Sequence, residues 1–184
     1  MRNERAFMDA TASLLSDGIP FADLGVGQIS HGAGFSRPTF YAHFRDKREL
    51  LLKMGSELEG DLHSVASTWL EEDGGDLRTT LEGVLAAFKE HSATVGALVE
   101  AATYDPEISA FWRSFHELFV QSARGRALRE DPSLDVRDAE ARAFALVWMT
   151  ERALTENILA PRVDDDALLD AMERLWRSGI VADQ

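Results

Sequence analysis

Five histidines, His31, His43, His63, His91 and His116, are the groups that would titrate near neutral pH. None stands four residues from another or three behind a glutamate. A helical metal site built on imidazoles needs such pairs on one face, so no metal is expected. No cysteine is present, which removes disulfides and thiolate chemistry. Glycine-rich phosphate loops and the strand-turn-helix serine motif are also missing. Catalytic residues and cofactors are therefore not expected. Chemistry-bearing side chains concentrate instead in "GFSRPTFYAHFRDK", residues 34–47. Ser36, Arg37, Thr39, Tyr41, His43 and Lys47 are the kind of groups that hydrogen-bond phosphates and base edges.

These side chains need a rigid seat. Phe40 and Phe44 are four apart and share one helical face. That face can pack on Leu14, Ile29 and Ala33, leaving Arg37, Thr39, Tyr41 and His43 on the other side. Gly34 suits the end of a helix that contains Val26, Ile29 and Ala33. Ser36 can cap the next helix, with Arg37 and Pro38 in its first turn. Helix, glycine turn and short helix is the helix-turn-helix arrangement, whose second helix can enter a major groove. A helical hairpin in an ordinary bundle would give the same pattern.

The rest of the chain also reads as helix. Alanine, leucine, glutamate and arginine are abundant, and apolar residues do not alternate with polar ones for long. Breakers fall at "DGIP", "GAG", "EEDGGD", "YDP", "EDPSLD" and "APRVDDD". They divide the sequence into nine expected helices, near 3–16, 26–32, 36–43, 46–71, 76–91, 94–103, 106–129, 136–159 and 165–180. An all-α fold follows, with a small head over 1–45 and a helical body over 46–184. Asp46 with Glu49 suggests a capping box at the start of the long fourth helix.

The 184 residues carry a net charge of −13, yet the imbalance is local. Residues 1–55 hold seven Lys/Arg against six Asp/Glu, and the remainder twelve against twenty-six. A basic patch on an acidic body approaches a polyanion in one orientation. No apolar run reaches the length of a membrane span, and "MRNERAFMDA" lacks the apolar stretch of a signal peptide, so a cytoplasmic protein is expected.

The stretch "ISHGAGFSRPTFYAHFRDKRELL" resembles the DNA-binding signature of TetR-family transcriptional regulators. The matching positions are Ile29, Gly34, Ser36, Thr39, Phe40, Tyr41, His43, Phe44, Lys47 and Leu50. The resemblance implies that Arg37, Pro38 and Tyr41 face the groove. Thr39, Tyr41 and Lys47 would hold phosphates, and Gln28 and His43 would also reach DNA. It implies a homodimer on a palindromic operator, released by a small effector. A related protein that senses a ligand with weak or lost DNA binding is the alternative, and an enzyme fits poorly. Gly25 stands where the family has a serine or threonine cap, Ser30 replaces a common alanine, and Gly27 falls in the first turn of the same helix. A basic arm ahead of the first helix is also not seen. These departures imply fewer contacts and a weaker second helix.

For the body, the likeness extends to family members with a long aromatic tunnel, through "FWRSF" and "ALVWMTERAL". It implies a pocket for a small hydrophobic effector, lined by Phe88, Trp112, Phe115, Phe119 and Trp176. Val84, Val95, Val99, His116 and Leu154 would lie nearby. Thr150 matches a position that hydrogen-bonds ligands, and Val147 replaces a polar residue, so a more apolar pocket is expected. Glu151 and Arg152 read as a structural ion pair, with a ligand contact as the alternative. Alanines 139, 141, 143, 145 and 153 permit close helix approach, and the last helix is apolar on more than one side. Helices 136–159 and 165–180 are therefore the expected dimer surface.

Overall fold

A computed structural model describes residues 2–72 and 74–180. Among them the only regular elements are helices, in the order α1 (Arg2–Ser16), a 3₁₀ turn (Phe21–Asp23), α2 (Val26–Gly32), α3 (Arg37–Tyr41), α4 (Lys47–Leu70), α5 (Leu77–Glu90), α6 (Ser92–Ala101), α7 (Pro106–Glu130), α8 (Val136–Leu159) and α9 (Asp165–Ile180). The expected all-α fold is thus observed, and each α-helix lies within a few residues of its expected place. The 3₁₀ turn is additional. The third helix is shorter than expected, so Ala42 and His43 fall in the turn that follows it.

Two compact units divide the chain, and they do not coincide with a break at residue 45. The first comprises residues 1–58 and 91–112, the second 59–90 and 113–184. Both α4 and α7 therefore contribute residues to each unit.

In the first unit, Phe7, Met8, Leu24, Ile29, Phe40, Phe44, Leu50 and Met54 form one buried cluster, with Leu14, Val26, Ala33 and Phe35 packed at its edge. Phe7 is central. Its ring meets Phe40 edge-on at 5.3 Å and Phe44 edge-on at 6.3 Å, the offset arrangements that aromatic quadrupoles favour. A close approach ties α4 to α7 here, since a side chain at Gly55 would overlap the Phe111 ring at 2.7 Å.

In the second unit α5, α8 and α9 pack on one another. The end of α4 is closed by arginines from α7: Arg126 donates to the Trp69 carbonyl at 2.9 Å and to that of Glu72 at 3.2 Å, and Arg129 donates to that of Leu70. Cations on the last carbonyls of a helix satisfy its orphan acceptors and suit its dipole. Asp135 caps α8 by accepting the Arg137 and Asp138 amides. Asn157 braces the loop to α9, accepting from the Arg162 and Val163 amides and donating to the Val163 carbonyl.

Candidate DNA-reading surface and internal cavity

The turn between α2 and α3 forms as the glycine suggests. Gly34 adopts φ +74°. Its amide donates to the His31 carbonyl at 3.0 Å, and the Phe35 amide donates to that of Ser30 at 2.9 Å. This is the Schellman closure, and the left-handed residue has to be glycine to avoid Cβ strain. Ser36 then caps α3, accepting the Thr39 amide at 3.3 Å, and its hydroxyl lies 2.9 Å from that of Thr39. Phe40 is fully buried while Tyr41 is 56% exposed, so α3 holds its angle with one face and presents the other. Ser36, Arg37 and Pro38 are exposed on that presented side.

Gly27 makes room for Arg37 in this geometry. The Arg37 guanidinium lies directly against it, and a Cβ built at residue 27 would sit 2.9 Å from Nε and 3.0 Å from Cζ. A missing methyl on α2 thereby becomes a seat for the arginine of α3. Gly25 receives a substitute for its lost cap. Its amide donates to Gln28 Oε1 at 2.8 Å. Glycine offers no side-chain acceptor in return, so only half of a capping box exists here. Gln28 remains exposed, with one end of its amide engaged by the backbone.

Two side chains assigned to DNA by resemblance make contacts within the head. Lys47 Nζ donates to the carbonyls of Phe21 and Ala22 at 2.7 and 2.8 Å, and sits 4.8 Å from the centre of the Phe21 ring. Glu100 of α6 accepts the amides of the same two residues, both at 3.1 Å. The 3₁₀ turn is thus held between a cation from α4 and an anion from α6. Burial pushes the Lys47 ammonium below the usual lysine range, offset in part by Asp23 and Glu100. His43 is half-buried, with Nδ1 3.6 Å from Glu4 of α1. It turns toward α1 because α3 ends before it. At the start of α4, Asp46 accepts the Glu49 amide at 2.9 Å, while Glu49 reaches the Arg45 amide at 2.6 Å.

The second unit contains a cavity with about 600 Å³ of space between atoms, part of it open to solvent. Eight of the residues expected at a pocket line it: Val84, Phe88, Phe115, His116, Phe119, Val147, Thr150 and Trp176. Val95, Val99, Trp112 and Leu154 are not in its wall. Val95, Val99 and Trp112 belong to the first unit, and Leu154 is 1% exposed within the helix packing. The wall also includes Leu62, Ala66, Trp69 and Leu70 of α4, together with Leu77, Thr80 and Leu81 of α5. Sequence reasoning passed over these because their spacing is that of any core-facing helix stripe.

Polar side chains in the wall are few. Thr150 accepts the Trp176 indole N–H at 2.8 Å, and the Trp176 ring meets Trp69 edge-on at 5.8 Å. Glu151 is 6% exposed. It does not pair with Arg152, which is exposed and bonds Glu156 at 2.6 Å. Glu151 instead accepts the Thr155 hydroxyl at 2.8 Å and faces His116 Nε2 at 3.4 Å. A side chain at position 151 of this helix points inward and one at 152 outward, so the adjacent pair cannot meet. Among the described residues, no cluster of three His, Asp or Glu could hold a metal, and no helix is long and apolar enough to cross a membrane.

Two family models match the chain. Residues 7–54 match the family described as bacterial regulatory proteins, tetR family. Residues 77–182 match the C-terminal domain of the transcriptional regulator EthR. The chain belongs to the TetR family. It is a helix-turn-helix transcriptional regulator, and its relatives are regulators rather than enzymes. The HTH-type transcriptional regulator EthR of Mycobacterium tuberculosis (strain ATCC 25618 / H37Rv) is 28% identical over 187 residues, covering 93% of this chain and 84% of the relative. EthR of Mycolicibacterium smegmatis is also 28% identical, over 93% of this chain and 83% of its own. Among solved structures, a TetR-like regulator from Rhodococcus sp. RHA1 superposes with a TM-score of 0.73 at 22% identity, covering 96% of this chain and 94% of the other. A TetR-family regulator from Syntrophomonas wolfei gives 0.78 at 12% identity, over 99% and 96%.

Proposed function

We propose that the protein is a one-component repressor that binds a palindromic operator as a homodimer and is released by a small apolar effector. The observation that carries this reading is the composition of α4. The helix supplies Lys47 to the clamp on the turn before α2, and Leu62, Ala66, Trp69 and Leu70 to the cavity wall. An effector that prefers a displaced α4 would shift the population toward a state unable to hold both half-sites.

Base reading falls to Arg37, Pro38 and Tyr41 on α3, with Ser36 and Thr39 beside the backbone and Gln28 reaching from α2. Lys47 and His43 act by holding the head together. For the homodimer, α8 and α9 offer an unburied apolar surface that includes Phe144, 54% exposed, and Leu175, 47% exposed. Two-fold symmetry in the protein calls for a palindromic site.

Footprinting on the DNA upstream of the protein's own gene tests the reading. The expected result is a protected inverted repeat, with half-site centres about one helical turn or a multiple of it apart. No protection at any protein concentration overturns it and favours a family member that senses ligands without binding DNA.

A further inference from the structure

The cavity wall is uneven in its charge. It contains Glu151 but no lysine or arginine. Glu151 is almost wholly buried, and the Thr155 hydroxyl and the His116 ring do not fill its acceptor capacity. Oε1 takes the Thr155 hydroxyl at 2.8 Å, while Oε2 stands 3.4 Å from His116 Nε2. Charge-assisted N–H···O bonds close to about 2.7–2.9 Å, and a carboxylate offers about four acceptor sites. The His116 ring is fixed by a parallel stack on Trp148, with centroids 3.9 Å apart and planes 6° apart. The nearest arginine in sequence, Arg152, is exposed and bound to Glu156. Thr150 already receives the Trp176 N–H.

We propose that the cavity selects its ligand by head group: it takes an apolar molecule ended by a hydrogen-bond donor, which lies against Glu151, and it rejects carboxylate heads. A donor head fills the open acceptor capacity of Glu151 in a site shielded from water. A carboxylate head brings a second acid group against Glu151 and meets no lysine or arginine in the wall, which disfavours binding. The inference rests on the reading of the cavity as an effector site.

Three probes of one chain length separate the possibilities: octylamine, 1-octanol and octanoate, titrated calorimetrically into the full chain near neutral pH. Octylamine should bind at least about tenfold more tightly than octanoate, with 1-octanol between them. In Glu151→Gln, which preserves side-chain size, that ratio should fall to within about threefold. In Thr155→Val, which keeps the carboxylate, the ratio should stay at about tenfold or more. Octanoate binding as tightly as octylamine to the native chain overturns the proposal and leaves the effector reading standing. A Glu151→Gln protein that keeps the native ratio also overturns it. Failure of all three probes to bind overturns the effector reading itself.

Discussion

In the unit that holds the helix-turn-helix, a half-buried charge is bound by backbone. Lys47 donates to the Phe21 and Ala22 carbonyls, and Glu100 accepts the amides of the same residues. In the unit that holds the cavity, the buried carboxylate Glu151 is bound by a side chain. Glu151 and His116 face each other at 3.4 Å beside unfilled space. The head uses its polar groups to fix one geometry, while the body leaves one beside room for a ligand. A reader of DNA has to be pre-organised, whereas a sensor needs a site that still has something to gain.

That contrast can be broken by substitution. The largest effect should come from Phe40→Ala, at the centre of the head's core. It should cost about 3–5 kcal/mol, measured by urea denaturation. A cost under about 1 kcal/mol would mean that the head is loosely packed. Arg37→Ala should leave stability nearly unchanged and lower operator preference by about 1–3 kcal/mol per half-site, measured by competition between operator variants.

Lys47→Ala should cost about 1–3 kcal/mol of stability by leaving two carbonyls without their donor. The salt dependence of binding should stay as it is. A slope smaller by about one would show Lys47 on a phosphate instead. The smallest effect concerns Gly27→Ala. An alanine should stabilise α2 by about 0.5–1 kcal/mol, since glycine is a poor helix former. The same methyl displaces the Arg37 guanidinium, so operator preference should fall while the melting temperature rises. A gain in both would sever Gly27 from the reading function.

The sequence carried the fold well because its signals are short-range. Gly34, Ser36 and Asp135 act on their own turns, and each sits where its chemistry places it. The inward ring of α3 was legible as well, because Phe40 and Phe44 are separated by one helical turn. Side-chain partners distant in sequence were not legible. Lys47 follows the family pattern, but its bonds depend on a 3₁₀ turn more than twenty residues earlier. Gly27 reads as a weakness until Arg37, ten residues on, is found lying against it. In the body, aromatic spacing located part of the cavity wall, but not the share of α4 and α5. Trp112 shows the limit, since it shares a helix with Phe115 and Phe119 yet packs in the other compact unit.

The central question is whether the head reads a sequence at all. Fluorescence anisotropy on the upstream duplex and on a scrambled duplex of equal length, over a range of salt concentrations, decides this. The expected result is a preference of about 10³ or more for the upstream duplex, with log K falling linearly against log salt on both. Equal affinity for the two duplexes, or no binding to either, would contradict it.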